Sequence, residues 1–120
     1  PCAYSMTFNV SGNKLNAILN QRSQDMLTAN NWNVCQYAAL LIMFAKSTGF
    51  EPGELVHVIA DAHIYDRHID AVKRLIEKKP YPAPEMQVED ITDFYKFTKN
   101  SFTAVDYKYH EFTDKIPVAI

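Results

Sequence analysis

Residues 34–45, VCQYAALLIMFA, are apolar at almost every position and run directly into Lys46-Ser47-Thr48-Gly49. A run with no internal Pro or Gly, followed at once by a glycine, predicts a helix that stops at Gly49. Apolar side chains fall on every face of that helix, so it is expected to lie buried at a domain centre, with Cys35 inside it as an inert thiol. A dozen residues fall short of the ~20 that a bilayer requires, and no membrane span is expected. Asn33 stands where an N-cap would stand, and its carboxamide is also suited to reading the edge of a nucleobase.

N-terminal to the helix, residues 3–10 alternate in character, with Tyr4, Met6, Phe8 and Val10 on one side, the period of a half-buried strand. Ser11-Gly12-Asn13 reads as the turn of a hairpin, and the alternation resumes through Leu15, Ala17 and Leu19 before the polar group Gln21-Arg22-Ser23. A turn centred on residue 12 sets residue 2 opposite residue 22, because 12 − 2 = 10 and 12 + 10 = 22. Cys2 and Arg22 are therefore expected to be neighbours.

C-terminal to the helix, Glu51-Pro52-Gly53 reads as a turn, and Leu55, Val56, Val58, Ile59 and Ala60 as a mostly buried strand ending near Asp61-Ala62-His63-Ile64-Tyr65. A further helix is expected from Asp66, with Ile69, Val72 and Ile76 at core spacing and a stop before Pro80. Pro80-Tyr81-Pro82-Ala83-Pro84 should be extended surface. Strand-like runs follow at Glu85 to Glu89 and Ser101 to Tyr107, then the apolar tail Ile116 to Ile120.

The 120 residues carry 12 basic and 14 acidic side chains, a formal charge of −2. That balance leaves no electrostatic footprint for duplex nucleic acid or an anionic membrane surface. Two cysteines 35 − 2 = 33 positions apart, outside any Cys-x-x-Cys pattern, fit a reduced cytosolic thiol protein. With no metal-ligand spacing, no metal is expected. Length alone predicts one compact domain. The chain opens on Pro1-Cys2, without an initiator methionine or the basic and apolar run of an export signal, which reads as the cut edge of something larger.

Chemistry concentrates in three places. Cys2 is the candidate nucleophile, since a thiolate stabilised by a nearby cation is the strongest of the common side-chain nucleophiles; an inert structural thiol is the plainer alternative. Gln21-Arg22-Ser23-Gln24-Asp25 is the densest polar cluster, and an arginine beside the thiol would hold an anionic group bidentately, or else mark a solvated strand end. His63 and Tyr65 fall on one side of an extended segment and suit a sugar hydroxyl, unless His63 is a core histidine.

In order, Pro1-Cys2, Gln21-Arg22-Ser23-x-Asp25, Asn33 with Tyr37-Ala38, Glu51-Pro52-Gly53-Glu54, Asp61-x-His63-x-Tyr65 and Pro117-Val118-Ala119-Ile120 resemble thymidylate synthase, from the catalytic cysteine onward. The resemblance implies an α+β fold, a mixed sheet packed against a buried central helix, with residues 1–120 as the C-terminal catalytic portion of a single domain. It implies conversion of deoxyuridylate to thymidylate with 5,10-methylenetetrahydrofolate as carbon and hydride donor, and no metal.

By the same resemblance, Cys2 adds to C6 of the pyrimidine and Arg22 binds phosphate beside the sulfur. Gln21, Ser23 and Gln24 are its polar neighbours, and Asp25 serves pterin and substrate. Asn33 pairs with the uracil edge, where aspartate would suit cytosine. His63, Ile64 and Tyr65 hold the deoxyribose, and Ala119 and Ile120 close over the folate. Family members are cytoplasmic homodimers whose partner subunit supplies arginines to the phosphate, so the segment alone is expected to be inactive and poorly folded. Ala3, Ala29 and Ala60 depart from the family pattern and suggest a catalytically impaired nucleotide-binding paralogue as one alternative. A pyrimidine nucleotide hydroxymethylase is another.

Overall fold

The computed structural model describes residues 1–118 as two compact units, one of residues 1–63 and 90–97, the other of residues 64–89 and 98–118.

In the first unit, β1 (Ala3–Ser11) and β2 (Lys14–Gln21) form the expected antiparallel hairpin. Gly12 occupies the first central position of its two-residue turn at φ +60°, which glycine adopts without steric cost. β2 also pairs in parallel with β4 (Glu51–Ile59), giving the sheet order β1-β2-β4. Parallel neighbours need a crossover, and α1 (Asn30–Thr48) supplies it. The mixed sheet beside a helix is the expected α+β arrangement.

Three details correct the sequence reading. Glu51-Pro52-Gly53 belongs to β4 rather than to a turn, because Pro52 and Gly53 lie where the β2–β4 register shifts and the ladder tolerates them. β4 alternates instead of being mostly buried, with Val56 and Val58 about half exposed. β1 is an edge strand, so Tyr4, Phe8 and Val10 remain exposed and Met6 alone of that set packs on the core.

That core is the face of β2 bearing Leu15, Ala17 and Leu19, with Leu41 and Ala45 of α1 closing over Leu15 and Ala17. Burying each leucine contributes roughly 1.5–3 kcal/mol. Phe44 extends the contact, its ring 5.1 Å from Phe8 and 4.8 Å from Phe94. The helix is thus buried along one stripe, not all round: Trp32, Cys35 and Gln36 are exposed, which corrects the expectation of a buried Cys35.

Gly49 ends α1 at φ +78°, with the Phe50 amide donating to the Ala45 carbonyl at 2.9 Å and Phe50 packing on the core. Gly49→Ala is expected to lower stability by about 1–2 kcal/mol, read by urea denaturation, since it forces a Cβ into the left-handed region. Gly53 is constrained by space instead. A Cβ there would lie 2.9 Å from the Leu15 carbonyl oxygen and closer still to the Asn16 carboxamide, which accepts from the Glu54 amide. Gly53→Ala is expected to cost about 1–3 kcal/mol, and an unchanged denaturation midpoint would show that Asn16 moves aside freely.

In the second unit, residues Asp66–His68 form a 3-10 turn leading into α2 (Ile69–Ile76). Ile76 is three-quarters exposed and Ile69 more than a third, so their core assignment does not hold. Instead α2 is lined by the C-terminal stretch, which runs antiparallel beside it. His68 contacts the Pro117 carbonyl at 2.9 Å, Arg67 donates to Val118, Arg74 pairs with both oxygens of Asp114, and Lys78 donates to Glu111. The hydrogen bond that Arg74 donates to Asp114 holds its guanidinium above its ordinary range. β6 (Glu85–Val88) and β7 (Phe102–Val105) pair antiparallel, and residues 80–84 are the expected exposed, irregular stretch.

Candidate functional site

The site of the first unit begins with a bulge. Ser5 to Ser11 pair with Asn20 to Lys14 in a register whose residue numbers sum to 25, whereas Ala3 pairs with Gln21 and sums to 24. Tyr4 is the extra residue, and its insertion returns Cys2 to a position opposite Arg22. The Arg22 amide donates to the Cys2 carbonyl at 2.7 Å, and its guanidinium Nη2 lies 3.8 Å from Cys2 Sγ. Both side chains are exposed, so the pair presents a nucleophile and a forked cation together at the surface.

Beyond Arg22 the chain is tied down by its neighbours. β3 (Gln24–Asp25) pairs in parallel with β5 (Ala62–His63), and the Gln24 amide donates to the Asp61 carbonyl at 2.9 Å. One carboxylate oxygen of Asp61 lies 3.4 Å from both Ser23 Oγ and His63 Nδ1. Asp25 turns inward on its own loop: Oδ1 accepts from the amides of Leu27 and Thr28 at 2.9 and 3.2 Å, and Oδ2 from the Thr28 hydroxyl. Both of its carboxylate oxygens are thus engaged as acceptors within the loop.

Behind this surface lies a network of buried amides. Gln21 is 3% and Gln24 1% exposed. Gln21 Nε2 faces three acceptors that share its two hydrogens, the Ser23 carbonyl oxygen at 3.0 Å, Asn33 Oδ1 at 3.2 Å and Gln24 Oε1, while its Oε1 lies 2.8 Å from His57 Nε2. Asn33 is not the N-cap of α1: the cap position is Ala29, no side chain caps the helix, and Asn33 sits one turn inside it. Its carboxamide is committed to Gln21.

The structure therefore unites Cys2, Gln21, Arg22, Ser23, Gln24, Asp25, Asn33 and His63 at the C-terminal end of β2 and along the β3–β5 pair. Ile64 and Tyr65 follow in the second unit, both about two-fifths exposed, with the Tyr65 ring 5.6 Å from that of His68. Ala119 and Ile120 lie outside the described residues. His57 is the participant the sequence reading passed over. Its signal was the alternation of Leu55, His57 and Ile59, which puts one polar ring on the face that carries Leu19 and Gln21. Among the described residues, no cluster of three or more His, Cys, Asp or Glu could hold a metal, and no helix is long and apolar enough to cross a membrane.

Comparison with known proteins places this geometry. The family model for thymidylate synthase matches residues 1–120. A thymidylate synthase of Bacillus phage phi3T is 40% identical over 110 residues, which is 91% of this chain and 39% of the phage protein. One of Clostridium beijerinckii is 40% identical over 114 residues, covering 92% and 43% respectively. A solved structure of the thermostable thymidylate synthase A of Bacillus subtilis superposes with a TM-score of 0.90 at 38% identity, across 100% of this chain and 42% of that one. The chain thus spans about two-fifths of the length of these relatives, and it belongs to the thymidylate synthase family.

Proposed function

We propose that this chain is the C-terminal catalytic portion of a thymidylate synthase domain that methylates deoxyuridylate. The observation that carries the reading is the 3.8 Å contact between Cys2 Sγ and the Arg22 guanidinium, beside the Gln21–Asn33 amide pair. Attack of Sγ on C6 forms a carbon–sulfur bond and moves the C5–C6 π electrons toward C5 and O4, which makes C5 nucleophilic. Arg22 offers a fixed cation for the substrate phosphate and for charge developing on the sulfur. Asn33 faces the uracil edge, Gln21, Ser23 and Gln24 belong with it to the substrate-binding set, and His63 and Tyr65, with Ile64 between them in sequence, take the deoxyribose 3′-hydroxyl.

5,10-Methylenetetrahydrofolate, when bound, supplies the one-carbon unit and the hydride. Asp25 fits it, since a carboxylate acceptor suits the N–H-bearing edge of a pterin. Ile18, Val56 and Val58 form an apolar patch on the sheet face away from α1, which supports a homodimer; a cytoplasmic location and partner arginines at the phosphate are what membership of the family suggests.

Incubating the intact protein with 5-fluorodeoxyuridylate and methylenetetrahydrofolate is expected to give a denaturation-resistant adduct that maps to the Cys2 peptide. Nucleotide binding without any adduct would instead identify a non-catalytic paralogue.

A further inference from the structure

Asn33 by itself does not specify uracil. A carboxamide offers one donor group and one acceptor group, and in one sense it matches O4 and N3–H of uracil. Turned over, it matches the amino group and bare N3 of cytosine. We infer that His57 holds this sense in place, acting through Gln21 as a positioning residue two side chains from the base. The inference rests on the reading of the site as a pyrimidine nucleotide pocket.

The polarity can be followed from one group whose character is invariant. The Ser23 carbonyl oxygen accepts and never donates, and it lies 3.0 Å from Gln21 Nε2. Turning the Gln21 amide over would set oxygen against oxygen in a site where Gln21 is 3% exposed. Gln21 must therefore present its NH₂ group to Ser23 and also to Asn33 Oδ1, 3.2 Å away. Asn33 answers with its oxygen, which leaves its own NH₂ directed away from Gln21 as the donor that O4 of uracil requires.

The same logic runs to the other end of Gln21. Its Oε1 is 2.8 Å from His57 Nε2, so His57 must carry a proton on Nε2. Gln24 Nε2 lies 3.5 Å from the Asp25 carbonyl, another pure acceptor, which turns Gln24 Oε1 toward Gln21, where it shares the two amide hydrogens with the Ser23 carbonyl and Asn33. Without a donor at position 57, Gln21 Oε1 would be left unpaired among acceptors, and the penalty on the uracil-reading orientation would narrow its lead over the turned one.

The test compares deoxyuridylate with deoxycytidylate binding to the intact protein by calorimetry. His57→Leu is expected to reduce the ratio of the two dissociation constants roughly tenfold, the size of one buried hydrogen bond. His57→Gln, whose amide can donate to Gln21, should restore the ratio, and His57→Glu, an acceptor, should move it further toward deoxycytidylate. Long-range nitrogen-15 spectra of the unsubstituted protein should show the Nε2–H tautomer at His57. An unchanged ratio in both His57→Leu and His57→Glu, or an Nδ1–H tautomer, would overturn the inference. If neither nucleotide binds the unsubstituted protein, the pocket reading fails, and the tautomer still decides whether His57 donates to Gln21.

Discussion

Cys2→Ser is expected to lower turnover of deoxyuridylate by at least roughly a thousandfold while changing nucleotide affinity little. A serine hydroxyl needs a base to become nucleophilic, whereas sulfur is intrinsically the far stronger nucleophile. The group in contact with Sγ is the Arg22 guanidinium, which donates hydrogen bonds and cannot take a proton away. The variant should therefore bind substrate and stop. Single-turnover kinetics with an equilibrium binding measurement separates the two effects, and a variant keeping a tenth of the activity would remove Cys2 from the role of nucleophile.

The second large effect is expected at Arg22. Its backbone is fixed by the 2.7 Å bond to Cys2 and by the β3–β5 pairing just beyond it, so removing the side chain should leave the strand in place. Under the proposed function, Arg22→Ala loses a forked, charge-assisted contact to phosphate as well as the cation beside the sulfur. A loss of roughly 10²- to 10³-fold in kcat/KM follows, from about two charged hydrogen bonds. Arg22→Lys keeps the charge but not the fork and should recover part of that loss, chiefly in kcat. Equal activity for the lysine and alanine variants would mean that bidentate geometry, not charge near Sγ, is what Arg22 provides.

Much of the site was legible because it depends on chain-local patterns. Strand alternation, the turn at residues 12–13 and the polar run after Leu19 were sufficient to bring Cys2 beside Arg22. Yet the pairing is reached by a different route from the simple arithmetic. The hairpin centre falls between residues 12 and 13, and the bulge at Tyr4 restores the register that a centre on residue 12 would have produced. A bulge carries little sequence signal, because one extra residue is accommodated by backbone twist and not by a required side chain.

Errors in burial have a common origin. Apolar residues at every position of 34–45 suggested a helix enclosed on all sides, but a helix that crosses over one face of a three-stranded sheet buries one stripe, here Leu41 and Ala45. Cys35 lies off that stripe and is exposed. In the same way Phe8 and Val10 share a face with the core of β2 but belong to the edge strand, where less of the helix covers them.

The amino-acid sequence by itself determined which chemical groups this protein has, and that the thiol, the arginine and the amide and carboxylate run meet at one end of the hairpin. These follow from spacing and period, which are properties of the chain. The tertiary structure decided the orientation of those groups. Asn33 is not a cap, and its carboxamide meets Gln21 from twelve residues away, while the parallel pairing of β2 with β4 sets His57 at the other end of the Gln21 amide. Hydrogen-bond polarity in a buried network is a collective property of partners distant in sequence, so it exists only once the chain is folded.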